Sequence, residues 1–385
     1  MKKVLIFTTS YLPSIGGAEL AVKNITDRLP DFHFDLITSR FNSRGGSYDR
    51  DLKSEERIGN TDVFRCGGRF SLTNFFVPKI FFPISAFIKS ARLTQKKGPY
   101  NYIFALQASQ GGGAAWLYKI FYGKQFVLNV QEGESLDKQG ILKSIFRKLI
   151  IKKADKIVVI SNYLKSYIAK QGISENKIFV IPNGVDIELF GKEKYAGEAE
   201  SEKNLLGINK DEKVIISVSR LVPKNGVLDL IVACSLLKTK NWKLLLVGNG
   251  HLRGVAEKLA SNLGLKNKVI FAGSVKHDDL PKYLAMSDIF ARPSVSEGLG
   301  TAFLEAMAME VPIVGTLVGG IPNFLKDGET GIACKPNNPE SIALAIDAIL
   351  ADDNLRQNLA SRAKKLVRNK YNWDLIADNY RKILN

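Results

Sequence analysis

Short runs rich in β-branched residues recur along this chain, each followed by a stretch of helical or basic amphipathic character. VLIF at 4–7, FDLIT at 34–38, YIFAL at 102–106, FVLNV at 126–130, KIVVI at 156–160 and KIFVI at 177–181 form a first series. VIISVS at 214–219, KLLLVG at 243–248, KVIFAG at 268–273, DIFARPS at 288–294 and PIVGT at 312–316 form a second. Such alternation is the pattern of repeated βαβ units and a largely parallel sheet, so each series predicts one doubly wound α/β domain. A length of 385 residues suits two or three domains of ordinary size. Residues 190–213, between the series, are polar and nearly free of large apolar side chains, with the turn signal Pro182-Asn183-Gly184 just upstream. The interdomain hinge is expected there, which gives domains of 1–190 and 191–370.

Charge then narrows the partners. The chain carries 55 Lys and Arg against 38 Asp and Glu, which favours an anionic partner: nucleic acid, a phosphorylated ligand or an acidic membrane. The excess is N-terminal, with 28 basic and 16 acidic side chains in residues 1–190 against 27 and 22 in the remainder. No zinc-finger, helix-turn-helix or RNP pattern accompanies it, so nucleic acid ranks last. Cys66, Cys234 and Cys334 lie far apart, which suggests neither a zinc site nor a disulfide framework and suits a cytoplasmic protein. The longest apolar stretch, 75–88, is too short to span a bilayer and contains Lys79, Pro78 and Pro83. His33, His251 and His277 have no second histidine or cysteine at ligand spacing, so no metal site is expected. At a helix start, His277 reads as a capping or solvent-exposed residue.

In open parallel sheets ligands bind outside the carboxyl ends of the strands, so the loops there hold the candidates. Gly16 and Gly17 precede a helix near 18–29; they form either a tight turn or a backbone approach to an anion. Arg220 and Lys224 follow the strand at 214–219, where a guanidinium and an ammonium can neutralise a diphosphate. Gly248-Asn249-Gly250-His251-Leu252-Arg253-Gly254 is one residue too long for a dinucleotide fingerprint, and NAD is rejected. The most specific element runs from Glu297 through Gly298, Leu299 and Gly300 to Glu305, two carboxylates eight positions apart across a glycine loop and a helix start. Glu297 is expected at the loop tip. Glu305 falls in the apolar helix AFLEAMAM, where a carboxylate needs hydrogen-bond donors, and sugar hydroxyls would serve.

Taken together, these loops resemble those of the retaining GT-B glycosyltransferases of family 4, glycosyltransferase group 1, over nearly the whole chain. Glu297 to Glu305 is similar to that family's E-x7-E motif, Gly16-Gly17 to its N-terminal glycine loop, Arg220 with Lys224 to its donor-phosphate pair, and Pro182-Asn183-Gly184-Val185-Asp186 to its P-N-G-V-D segment. The resemblance implies an α/β GT-B fold, two doubly wound Rossmann-like domains facing a central cleft, with the last helix (371–385) crossing back onto the first domain. It implies a nucleotide-sugar donor, UDP- or GDP-linked, whose ribose meets Glu305 and whose sugar meets Glu297 and the amides of Gly298 to Gly300. Val275 would lie near the base, and Arg220, Lys224 and Gly16 at the diphosphate. Many members place a histidine where this chain has Gln131 and Glu132, in FVLNVQEGES. Gln131 can hydrogen-bond but cannot change charge near neutral pH. Glu132 orients an acceptor hydroxyl, acts as a base, or is a plain loop acid.

The expected reaction is metal-independent, retaining transfer of a hexose-type sugar to a glycan or lipid-linked acceptor, with no cofactor. Glu297→Ala should then remove transfer from a folded protein, and Arg220→Ala should weaken donor binding. Aromatic and basic residues between Arg65 and Lys97, and ILKSIFRKLIIKK at 141–153, suit either peripheral attachment to an anionic membrane or ordinary packing helices. A nucleotide-sugar epimerase of the same architecture and a non-catalytic nucleotide-sugar sensor are the competing readings.

Overall fold

The computed structural model describes residues 1–13, 16–40, 51–66, 77–131 and 140–385, the side chains at 77–80 and 141 excepted. The chain divides into two compact units, residues 1–183 with 373–385, and residues 184–372.

The first unit holds β1 (Lys2–Phe7), α1 (Gly17–Asp27), β2 (Phe32–Ser39), β3 (Glu55–Ile58), β4 (Thr61–Cys66), α2 (Val77–Lys97) and β5 (Tyr102–Leu106). There follow α3 (Gln110–Tyr122), β6 (Gln125–Val130), α4 (Ile141–Lys153), β7 (Lys156–Val159), α5 (Asn162–Lys170) and β8 (Ile178–Val180). Among the described residues its sheet runs β3-β4-β2-β1-β5-β6-β7-β8, parallel except where β3 pairs antiparallel with β4. The central strands are buried on both faces, as the apolar runs require.

The second unit contains α6 (Ala196–Leu205), β9 (Lys213–Val218), α7 (Val227–Ser235), β10 (Trp242–Val247), α8 (Arg253–Asn262), β11 (Val269–Gly273) and α9 (Leu280–Ala285). It continues with β12 (Ile289–Arg292), α10 (Thr301–Ala308), β13 (Ile313–Thr316), β14 (Ile332–Cys334), α11 (Pro339–Ala351) and α12 (Asp353–Lys370). Its parallel sheet has the order β11-β10-β9-β12-β13-β14. The expected hinge segment is folded into this unit. Residues 192–205 form a 3-10 turn and α6, which buries Ala199 and is tied to α9 by Lys282 on Glu202 at 3.0 Å. A helix that buries so little apolar surface looks like a linker in sequence.

A last helix, α13 (Trp373–Leu384), rejoins the first unit. Trp373, Ile376, Ala377, Tyr380 and Leu384 are buried in one cluster with Val4, Ile6, Phe34 and Val127. Asn129, fully buried in β6, donates its amide to the Tyr380 hydroxyl and so gives the docked helix a polar register mark. The three cysteines are buried and unpaired.

Candidate functional site

In the second unit the strand order reverses between β9 and β12, and four loops converge at that carboxyl edge. The loop after β9 is tied to the loop after β12 by the Val295 amide on the Lys224 carbonyl, 2.7 Å. It is tied to the loop after β10 by Leu221 N on Asn249 O at 3.0 Å and Leu252 N on Leu221 O at 3.1 Å. Buried Asn225 donates to the Arg220 carbonyl at 2.7 Å and closes the first loop on itself. The loop after β13 joins through the Gly320 amide, which donates to the Glu297 carbonyl at 3.0 Å. Gly319 makes that approach possible: its φ is +56°, and a Cβ there would collide with the Glu297 carbonyl.

Glu297 lies in the middle of the loop between β12 and α10. It is half-buried and ion-paired with Arg292, whose side chain is 7% exposed at the end of β12. The Glu297 Oε1 also accepts the Gly298 amide at 3.1 Å, so that amide is already engaged. Arg292 in turn lies over the Phe303 ring, 4.7 Å from its centroid, and donates to Ser294 Oγ at 3.2 Å. A cation this deep needs a counter-charge, and Glu297 supplies it. Leu299 and Gly300 are buried beside it, and Gly300, at φ +95°, caps α10 without a side chain, which leaves the helix start open to an anion or hydroxyl.

Glu305 is buried on α10, and His277 meets it: Nε2 lies 2.9 Å from Glu305 Oε1. Oε2 accepts no hydrogen bond among the described residues. Burial works against a charge on His277, but the hydrogen bond and charge of Glu305, with Asp278 and Asp186 farther off, outweigh it and raise the imidazole pKa above its ordinary value. The Phe190 ring packs edge-on against the imidazole, centroids 5.4 Å apart. His277 is therefore neither a cap nor a surface residue.

The Arg220 side chain is exposed, with no hydrogen bond or ion pair among the described residues, while Lys224 is half-buried. Val275, half-buried, sits two residues before His277 in the connection from β11 to α9. Gly16, Gly17 and Gln131 belong to the first unit. Gly16 caps α1 with an extended backbone, exposed Gly17 begins the helix, and Gln131 Oε1 accepts from the buried Asn183 amide at 3.0 Å. Glu132 lies outside the described residues. Among these residues one group could present metal-ligating atoms, His33, Asp35 and Asp62 in the first unit. The Lys97 ammonium already bridges its two carboxylates, at 2.8 Å from Asp35 and 3.1 Å from Asp62.

Family models match each half of the chain. Residues 198–366 match "Glycosyl transferases group 1", and residues 15–189 match "Glycosyltransferase Family 4". The chain belongs to the group 1 glycosyltransferases. An uncharacterized glycosyltransferase of Methanocaldococcus jannaschii is 37% identical over 57% of this chain and 57% of its own length. The GDP-mannose-dependent α-(1-6)-phosphatidylinositol monomannoside mannosyltransferase of Mycolicibacterium smegmatis is 33% identical over 52% of this chain and 54% of its own. The matches thus span little more than half the length of these two relatives. Among solved structures, Anabaena HepE in complex with UDP and glucose superposes with a TM-score of 0.83 over 100% of this chain and 99% of its own, at 20% identity. The fold of this group 1 glycosyltransferase is GT-B.

Two residues of the candidate site carry no signal in the motifs singled out from the sequence. Arg292 sits in the apolar run DIFARPS, and a lone cation about to be buried was a usable signal for a nearby carboxylate. His277 is 28 positions from Glu305, on a different element, and no local pattern joins them.

Proposed function

We propose that this protein is a retaining, metal-independent glycosyltransferase that moves a hexose-type sugar from a UDP- or GDP-linked donor to a glycan or lipid-linked acceptor at the cytoplasmic face of a membrane. One observation carries the reading: Arg220, Lys224, Glu297 and an uncapped helix start are held on interlocked loops at the carboxyl edge of one sheet, with Glu305 on the helix that follows.

In this reading Arg220 and Lys224 grip the diphosphate and stabilise it as it leaves, the electrostatic role that metal ions fill in other transferases. Glu305 accepts ribose hydroxyls through Oε2 while His277 holds Oε1. Glu297, ion-paired with Arg292, has lone pairs left for a sugar hydroxyl, and the start of α10 faces the same group. Transfer with retention then needs no paired nucleophile, because the departing phosphate accepts the incoming hydroxyl's proton. The UDP complex of HepE and the GDP-mannose named for the mycobacterial relative support the two donor bases equally. Gly16, Gly17, Val275 and Gln131 keep the roles that the resemblance gives them, and Gln131 is set by Asn183 rather than by charge.

The test is a thermal-shift screen of the full chain against UDP, GDP and ADP sugars, followed by product analysis with the donor that binds. Saturation at about 100 times Kd stabilises by about 2.7 kcal/mol. NMR of the product should show the donor's anomeric configuration preserved. An inverted product rejects retention, and isomerised donor formed without acceptor rejects transfer.

A further inference from the structure

Three helices of the first unit share an unusual composition. α2, α3 and α4 together contain eleven Lys or Arg and no Asp or Glu. They pack side by side. Phe87 of α2 meets Phe121 of α3 with ring centroids 4.9 Å apart, and Thr94 pairs with the Tyr118 hydroxyl at 2.7 Å. Gly113 of α3 is pressed between α4 and α2: a Cβ there would lie 2.8 Å from Phe146 Cζ and 3.4 Å from Pro83 Cγ.

What this layer turns outward is apolar. Phe81, Ile84 and Ile88 form an exposed row at helical spacing on α2, and Leu142, Ile145 and Leu149 form another on α4. Leu142 is 85% exposed, and Phe121, between the rows in sequence, is 68% exposed. Such side chains cluster on a soluble surface only where something covers them.

The cations decide what covers them. Arg65, a flank of the basic segment read from the sequence, is buried and bound to Glu56 and the Leu12 carbonyl. Lys89 and Lys97 are held by Glu55 and by Asp35 with Asp62, and Phe82 is buried. Phe75, Phe76 and Arg69 lie outside the described residues. Lys143, Lys148, Lys152 and Lys153 of α4 are exposed and have no ion pair among the described residues, and the same is true of Arg92 and Lys96 on α2. They alternate with the exposed apolar residues, so each row has charge beside it. A second copy of this face would set like charge against like. An anionic bilayer satisfies both features at once, because lysines and arginines can reach head groups while the apolar residues enter the acyl boundary.

We infer that the face formed by α2, α3 and α4 docks on an anionic lipid bilayer. No helix among the described residues is long and apolar enough to cross a membrane. The inference stands apart from the sugar chemistry, since none of these residues belongs to the donor site.

The experiment is flotation of the full chain with vesicles of phosphatidylcholine alone and with roughly one-third phosphatidylglycerol, at low and high salt. The expected result is flotation with the anionic vesicles only, lost at high salt. Ile145→Asp with Leu149→Asp, and separately Lys148→Glu with Lys152→Glu, should each lower vesicle affinity at least about tenfold. Because the four positions are exposed, both variants should keep the wild-type melting temperature and nucleotide affinity. A wild-type protein that stays in solution with both vesicle types overturns the inference, including the case in which it binds an acidic protein instead. Variants that fold normally and still float like wild type overturn it as well.

Discussion

Replacing Glu297 by alanine removes more than a ligand group. The Arg292 guanidinium, on a side chain 7% exposed, would remain without its counter-charge, and breaking a buried pair from one side costs about 3–5 kcal/mol. Arg292 keeps Ser294 Oγ at 3.2 Å, the Val218 carbonyl at 3.4 Å and the Phe303 ring, which places the cost near the lower end, about 3 kcal/mol. For a unit spanning residues 184–372, about 3 kcal/mol corresponds to a fall of roughly 6–12 °C in melting temperature. The variant is thus less stable than the sequence alone suggested, and lost transfer in it would not by itself report on catalysis. Arg292→Met combined with Glu297→Ala removes both charges and should recover most of the melting temperature, since an apolar pair of similar volume is often neutral. Transfer should stay lost in the double variant, and that separates the contact with sugar from the support of the loop. Differential scanning calorimetry of wild type, Glu297→Ala, Arg292→Met and the double variant, with single-turnover assays alongside, makes the comparison. A Glu297→Ala melting point within about 2 °C of wild type, or a double variant below both singles, would refute the reasoning.

The remaining expectations are simpler. His277 has a raised pKa in the folded chain, so the stability it contributes is fully present below its unfolded value and is lost as pH rises through the folded one. Melting temperatures from about pH 5.5 to 8.5 should show this decline in wild type and a flatter profile in His277→Gln; equal slopes would discard the coupling to Glu305. Arg220→Ala should leave stability unchanged and weaken nucleotide-sugar binding by about tenfold or more, as loss of a charge-assisted contact of about 1.5–3 kcal/mol requires, and titration calorimetry would expose an unaltered Kd. Tyr380→Phe leaves the buried Asn129 amide unpaired and should destabilise the first unit by about 1–3 kcal/mol in denaturant titrations.

Both sheets were legible because their central strands are buried on each face and read as unbroken apolar runs. The hairpin of β3 and β4 was not, since β3 is the charged edge segment EERI with alternating exposure, and β14 is three residues long. The glycine loops of the site could be found because parallel strands gather their ligands at one edge. Their partners could not. Arg292 reaches Glu297 only because β12 ends where the loop folds back, and His277 and Asn183 meet Glu305 and Gln131 across separate elements. Spacing along a chain reports neighbours on one element and is silent about those that tertiary packing brings in. The polar segment at 190–213 was misread for a related reason: α6 is anchored by one buried alanine and an ion pair, a signature too faint for hydropathy.

The position of α13 constrains how the molecule comes into being. Trp373, Ile376 and Tyr380 complete the core around Val4, Ile6 and Val127, so the first unit is closed only by a helix that follows the second unit along the chain. Without that helix the apolar surface it covers is open, although every residue of the second unit precedes it. A fragment ending near Asn183 should therefore fold poorly alone, because its core lacks a helix that the chain supplies only after the second unit.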